Sequence, residues 1–252
     1  MANGLQGIAL TDHDTVAGIP EFLGCSVGNG LHLLPGIELS SHYKESSLHL
    51  LGYGINHEDQ ELQDNLRRIQ EARERRNQAI FARLQHMGLD LSPSEIQKPG
   101  DGPVGRPHIA NLMVRKLLVK NEHEAFNKFL KKGARAYVAR EKLPVQEAIA
   151  MIRRAGGLAV LAHPASADPT CIFMAQLIAE LKGDGLRGIE VFHPMHNSKH
   201  VRFFSNLCRD LQLIATGGSD FHGRQNEHRS LGNYGKNKPI SFDLWQDLEN
   251  HL

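Results

Sequence analysis

Gly7-Ile-Ala-Leu-Thr-Asp-His-Asp-Thr15 runs strand-forming residues straight into three ionisable side chains, Asp12, His13 and Asp14. A packed strand does not end in this way for stability alone, because each charge taken from water needs a partner. A metal cation is such a partner, and imidazole with carboxylate is a ligand set that zinc, manganese and iron accept. The stretch has a second reading, with Asp14 capping the next helix and His13 pointing into solvent. The rest of the chain decides between them, because the pattern recurs.

Leu31–Leu39 reads as a strand with Glu38 near its end, and Ser47–Tyr53 as another with His49 within it. Leu158–Ala162 is followed by His163-Pro164. Leu186–Phe192 carries Glu190 and ends in His193-Pro194, and Leu211–Thr216 opens into Gly217-Gly-Ser-Asp-Phe-His222. Helical periodicity lies between and after them, at Val16–Leu23, Val145–Ala155, Ile172–Leu181 and Ser198–Asp210, with Trp245 and Leu248 on a closing helix. Strand, polar C-terminal end, then helix is how parallel α/β barrels are built, and their active sites lie on the C-terminal face of the strands. A core of satisfied histidines explains one or two such positions but not the set.

Residues 58–133 break the alternation and contain no strand pattern. Leu62, Leu66, Ile69, Ile80 and Leu84 share one helical face, with Asp64–Arg68 and Glu71–Arg75 spaced for i,i+4 pairing. The run Arg73-Glu-Arg-Arg76 reads as a solvated helix face rather than an RNA-binding strip. Ser92-Pro-Ser-Glu95 is a helix start, a helix follows Arg106-Pro-His108, and Glu122–Lys131 ends at Gly133. The expected organisation is a barrel from residues 1–57 and 134–252 carrying a helical insertion at 58–133.

Composition narrows the function. Lys+Arg number 29 against 28 Asp+Glu, a formal charge of +1, which gives no sign of a general polyanion binder such as a duplex-DNA protein. There is no run of 18 apolar residues and no signal-peptide pattern at the N-terminus, so no membrane partner is expected. Cys25, Cys171 and Cys208 are far apart and form no C-x-x-C pair, which argues against a disulfide framework or thiolate zinc finger and makes the cytoplasm the expected compartment.

The candidate ligands are His13, Glu38, His49, His163, Asp220 and His222. Without cysteine they favour hard or borderline divalent ions, and they exceed what one tetrahedral ion requires. Two or more ions are expected, with Glu38 able to bridge them. Neighbouring divalent ions suit phosphate-ester hydrolysis, because they acidify water and neutralise the departing oxygen. Arg106 and His108 are candidates to hold the phosphate, since a guanidinium fixed by a following proline offers a rigid fork. The alternative is that Arg106-Pro107 simply starts a helix. His193 is a candidate acid for the leaving group, or a phosphate contact. No Gly-x-Gly-x-x-Gly loop, Walker loop or G-x-S-x-G elbow occurs, so neither nucleotide-cofactor chemistry nor a serine hydrolase is suggested.

Thr11-Asp-His-Asp14, Pro35-Gly-Ile-Glu38, His49-Leu-Leu-Gly52, Ala162-His-Pro164 and Gly218-Ser-Asp-Phe-His222 together resemble the PHP (polymerase and histidinol phosphatase) superfamily. Arg106-Pro-His108 and Gly188-Ile-Glu-Val-Phe-His193 resemble its nucleoside 3′,5′-bisphosphate phosphatase branch, some members of which act as 5′-to-3′ exoribonucleases on short RNA. The resemblance implies a distorted (β/α)7 TIM-like barrel and a trinuclear centre of Mn, Fe, Zn or Mg, with Mn favoured. It assigns the six candidates above as metal ligands and places Arg106 and His108 beside the substrate phosphate. It implies hydrolysis of the 3′-phosphate of nucleoside bisphosphates, and of the corresponding ester at short RNA 5′ ends. Histidinol phosphatase and a non-catalytic metal-binding domain are the alternatives. Two departures stand out. Position 105 is Gly where the branch has Ser, and no strand bearing Asp-x-His-x-His precedes Ile8. The expectation is therefore a barrel without its first strand, from a sequence shortened at its front. Within Thr11–Asp14, His13 is the expected ligand, Asp14 a helix cap or supporting residue, and Asp12 a partner that orients the imidazole.

Overall fold

The computed structural model describes residues 4–25, 30–97, 102–140, 143–223 and 229–252. In chain order the elements are β1 (Gly7–Leu10), α1 (Ile19–Gly24), β2 (His32–Tyr43), β3 (Ser46–Tyr53), α2 (Gln60–His86), α3 (Arg106–Arg115) and α4 (Glu122–Ala125). They continue with β4 (Leu143–Pro144), α5 (Val145–Arg154), β5 (Leu158–Leu161), α6 (Met174–Asp184), β6 (Gly188–Phe192), α7 (Ser198–Leu211), β7 (Ile214–Gly217) and α8 (Phe242–Glu249). They fall into two compact units, Met1–Gln63 with Leu143–Leu252, and Asp64–Lys142.

The first unit is built on one mixed sheet in the order β1-β2-β3-β5-β6-β7, with β4 beside β2. The pairs β1–β2, β5–β6 and β6–β7 are parallel, whereas β2–β3 and β3–β5 are antiparallel. This corrects the all-parallel expectation, and the reason is local. Only Lys44 and Glu45 separate β2 from β3, too short for a crossover, so the chain must turn back as a hairpin. Lys44 takes φ 51° to make that turn. The strand β2 also runs on to Tyr43, so Glu38 sits in mid-strand rather than near an end.

Packing on the sheet explains several small residues. The helix α5 buries Val145, Ala148, Ile149, Met151 and Ile152. Gly52 of β3 lets Ile152 close in, since a Cβ there would lie 3.0 Å from both Ile152 Cγ1 and Ile37 Cγ2. Burying a side chain such as Ile152 contributes ~1.5–3 kcal/mol. Leu34, Leu51, Tyr53, Val160 and Ala162 form a second apolar layer with Leu248 of α8, and Ala9, Leu158 and Trp245 pack at its margin. Gly7 fits against the Trp245 indole, where a Cβ would lie 2.6 Å from Cε2.

The second unit has its own core. Ile80, Phe81 and Leu84 of α2 pack with Ile109, Leu112 and Met113 of α3 and with Phe129, Leu130 and Ala136. The Ser92 hydroxyl accepts the Ser94 N–H and the Glu95 carboxylate accepts the Ser92 N–H about a single 3-10 turn at Pro93–Glu95, which the sequence marks as a helix start. The expected helix Glu122–Lys131 is instead α4 followed by one π turn, Phe126–Leu130. On α2, Asp64 pairs with Arg67 at 2.9 Å, and Glu71 pairs with Arg75 at 3.8 Å. The solvated-face reading of Arg73–Arg76 also needs correction, because Arg76 is only 8% exposed.

Gly7→Ala should lower the stability of the protein by ~1–3 kcal/mol in urea denaturation, because the indole cannot move aside without opening the margin of the core. An unchanged midpoint would show that Trp245 does not pack there.

Candidate metal centre

Two main-chain hydrogen bonds bring the first two ligands together. The chain leaves β1 at Thr11 yet stays alongside β2: Glu38 N–H donates to Asp12 O at 3.0 Å, and Asp14 N–H donates to Glu38 O at 2.9 Å. An isolated parallel bridge therefore pairs His13 with Glu38. Asp14 locks the turn. Its carboxylate accepts the Ser40 N–H at 2.7 Å, fully buried. The helix α1 begins at Ile19 behind Gly18, so Asp14 supports β2 and is not the cap of that helix.

Register places the next ligands. Ser40 opposes His49 across the β2–β3 hairpin and Leu51 opposes Glu38, so His49 is a diagonal neighbour of Glu38 on the same face. Ala162 N–H donates to His49 O at 3.0 Å, which carries the end of β5 past His49 and delivers His163. Glu38 Oε1 then lies 2.6 Å from His49 Nδ1 and 3.1 Å from His163 Nε2, and Glu38 Oε2 lies 3.7 Å from His13 Nδ1. The ligand atoms of His13, Glu38 and His49 all fall within 4.8 Å of one another. Ring centroids are 5.2 Å apart for His13 and His49 and 5.1 Å for His49 and His163.

A second group adjoins the first. The His222 ring is 5.8 Å from that of His13, and its Nδ1 lies 3.3 Å from Asp220 Oδ1. His193 is fully buried, with its ring 5.1 Å from His163 and its Nε2 3.5 Å from Asp220 Oδ2. That separation is too long for a good hydrogen bond, and Nε2 has no hydrogen-bond partner among the described residues. His193 Nδ1 accepts the Met195 N–H at 3.1 Å, which leaves Nε2 to carry the proton in the neutral ring.

The electrostatics suit a cation. Burial alone would raise the Glu38 pKa, but hydrogen bonds with His163 and His49 and the nearby His13 outweigh it and hold the carboxyl well below its ordinary range. Burial lowers the pKa of His13 against the pull of Glu38, keeping its imidazole neutral with a lone pair to offer. For His163, burial works downward, but the bond to Glu38 and the charges of Glu190, Glu38 and Asp220 raise it. Asp220 is driven down to about 2: burial opposes this, and His193, Arg229 and His222 prevail. A buried carboxylate facing several imidazoles fits a divalent ion with nitrogen and oxygen ligands.

Several participants were not singled out as site residues in the sequence. Glu190 of β6 is buried and accepts the His163 N–H at 2.8 Å. Gly218 is needed beside it, since a Cβ there would lie 2.6 Å from Glu190 Oε1. Ser166 Oγ lies 2.9 Å from His163 Nδ1 and can fix which nitrogen bears its proton. Arg229 binds both the carboxylate and the carbonyl of Asp220. Glu190 was legible as a charge within a buried strand, but nothing in the sequence near Arg229 marks it. Three residues of the site, Asp14, His163 and Asp220, hold φ of 52°, 28° and 49°. Such backbone costs ~1–3 kcal/mol per residue and is kept where the surrounding structure demands it.

In the second unit, α3 begins at Arg106 with Pro107 in its first turn, so the helix-start reading of Arg106-Pro107 is correct as local structure. His108 Nδ1 accepts the Gly105 N–H at 2.9 Å. Arg106 Nη1 donates to Leu130 O at 3.0 Å, and its guanidinium lies 5.8 Å from the Tyr137 ring and 6.0 Å from the Phe126 ring.

No family model matches the sequence. A 3′,5′-nucleoside bisphosphate phosphatase from Chromobacterium violaceum is 30% identical over 244 residues, covering 96% of this chain and 86% of that protein. A 5′-3′ exoribonuclease from Haemophilus influenzae is 29% identical over 88% of this chain and 81% of its own length. The chain belongs to the PHP family of phosphoesterases. A solved structure from Chromobacterium violaceum, described as an amidohydrolase with bound sulfate and no metal, superimposes with a TM-score of 0.83 at 30% identity over 99% of this chain and 87% of that one. A protein from Bifidobacterium adolescentis assigned as a metal-dependent phosphoesterase gives the same TM-score at 27% identity over 97% and 85%. The curled mixed sheet is thus a scaffold shared with a protein assigned as a metal-dependent phosphoesterase. No helix among the described residues is long and apolar enough to cross a membrane.

Glu38→Gln keeps the shape of the centre and removes its charge. Divalent-metal affinity should fall at least ~10–100-fold, read as metal content by elemental analysis after dialysis. Equal content in wild type and variant would show that Glu38 is not a ligand.

Proposed function

We propose that this PHP protein is a metal-dependent phosphoesterase that removes the 3′-phosphate of nucleoside 3′,5′-bisphosphates and acts on the corresponding ester at the 5′ ends of short RNA. The observation that carries the reading is the buried Glu38 carboxylate shared by His13, His49 and His163. The names of the relatives support the substrate class: a nucleoside bisphosphate phosphatase and 5′-3′ exoribonucleases. The sulfate in the related Chromobacterium violaceum structure supports a scaffold that accepts a tetrahedral anion.

His13, Glu38, His49 and His163 would hold one part of a centre of two or three ions on a (β/α)7-type barrel, and Asp220 and His222 another; the nitrogen and oxygen donors suit Mn, Fe, Zn or Mg, and Mn is the ion the family resemblance favours. Divalent ions bound there supply a nucleophile at neutral pH and stabilise charge on the phosphoryl and leaving oxygens. The residues of the chain do the rest. Glu38 stays ionised and keeps the ligand rings oriented. Glu190 fixes the backbone of His163 in its strained conformation. His193 presents the proton on Nε2 toward Asp220, where it can pass to the leaving oxygen. Arg106 and His108 bind phosphate oxygens, the guanidinium as a planar fork and the imidazole through Nε2–H. Histidinol phosphatase chemistry has less support, because the relatives' names point to nucleotide and RNA substrates.

Purified protein supplied with Mn should release inorganic phosphate from adenosine 3′,5′-bisphosphate, and His163→Ala should reduce the rate by ~100-fold or more. The same background rate from wild type and variant would overturn the mechanism.

A further inference from the structure

The turn that carries His163 has an unusual start. Pro164–Ser166 is a single 3-10 turn, and His163 stands at its N-cap with φ 28° and no side-chain bond to the main chain of the turn. An N-cap side chain ordinarily accepts one of the first N–H groups, which a helical turn leaves without internal partners. His163 cannot do this, because its Nε2 faces Glu38 Oε1 and its Nδ1 faces Ser166 Oγ. Pro164 brings no N–H. The donor left to be capped is the Ala165 N–H.

A residue from another element caps it. His196 Nε2 accepts the Ala165 N–H at 3.4 Å, while His196 Nδ1 donates to Val191 O at 2.8 Å. These two bonds require the tautomer with its proton on Nδ1 and a lone pair on Nε2. Burial pulls the His196 pKa down to about 4, overcoming the bond to Val191, and the nearby His193, His200 and His163 act in the same direction. The ring is therefore neutral at pH 7 and able to accept. It is 5% exposed and lies 5.3 Å from the Phe204 ring on one side and 5.7 Å from the His193 ring on another.

A leucine would fill this space without the cost of burying ring nitrogens. What the imidazole adds is a tie between the turn after β6, which carries His193, and the turn after β5, which carries His163. Two further bonds join the same segments: Glu190 accepts the His163 N–H at 2.8 Å, and His200 Nε2 donates to Pro169 O at 2.9 Å. We infer that His196 is a positioning residue for the metal centre. By capping the Pro164–Ser166 turn in place of His163, it leaves the His163 imidazole to face Glu38 and sets the spacing between His163 and His193. The inference deepens the proposed function and rests on it for turnover, whereas the effect on metal binding can be read without any substrate.

Two polar substitutions separate the two bonds of the ring. The amide of His196→Asn falls near the Nδ1 position, keeping Val191 O in reach and losing Ala165. The amide of His196→Gln falls near the Nε2 position and can accept the Ala165 N–H through Oε1. Mn affinity of the full chain, read by elemental analysis after dialysis against graded Mn, should fall ~10–100-fold in His196→Asn, the range for residues that orient a metal ligand. With adenosine 3′,5′-bisphosphate and saturating Mn, kcat should fall in the same variant with KM little changed. His196→Gln should recover most of both. Equal Mn affinity in the two variants, with or without a lower thermal midpoint, would overturn the inference and leave His196 as a core side chain. Weaker Mn binding by His196→Asn, recovered in His196→Gln, from a protein whose wild type releases no phosphate from the bisphosphate would uphold the positioning role and reject the substrate reading instead.

Discussion

One buried carboxylate organises the first unit. Glu38 lies in the middle of β2, 5% exposed, and no aliphatic strand would tolerate it there without compensation. Its compensation comes from three separate elements: the turn after β1 brings His13, β3 brings His49, and the end of β5 brings His163. Each is delivered by backbone hydrogen bonds rather than by flexible loops. The β2–β3 hairpin fixes His49, the Asp12–Asp14 turn fixes His13, and the bond from Ala162 to His49 fixes the exit of β5. The positive φ values at Asp14 and His163 are the local strain of aiming these side chains inward, borne by the packing of the sheet against α5 and α8.

Much of the first site was legible in the sequence, and the reason is physical. The placement of His13, Glu38, His49 and His163 within or at the ends of apolar runs is visible as a conflict between composition and environment, and it needs no knowledge of long-range contacts. The hidden features depend on contacts that sequence spacing does not encode. The antiparallel course of β3 follows from the two-residue turn at Lys44 and Glu45, which shows only once β2 is seen to run on to Tyr43. The sequence leaves Asp14 as either a cap or a supporting residue because its partner, the Ser40 N–H, is a distant main-chain group. Arg229 meets Asp220 across a stretch with no periodic signal. Arg76 was assigned to solvent because a charge on a helix usually faces water, and only the approach of Val104 to Asn77 shows that this turn is covered.

The claim that Glu38 and its three histidines form a metal site is tested most directly by a crystal structure grown with Mn, using anomalous scattering to locate the ions. The account predicts at least one anomalous peak within coordination distance, ~2.0–2.3 Å, of a Glu38 oxygen and of imidazole nitrogens from His13, His49 or His163. Fully occupied Mn elsewhere in the molecule, with Glu38 bonded only to its histidines, would contradict it.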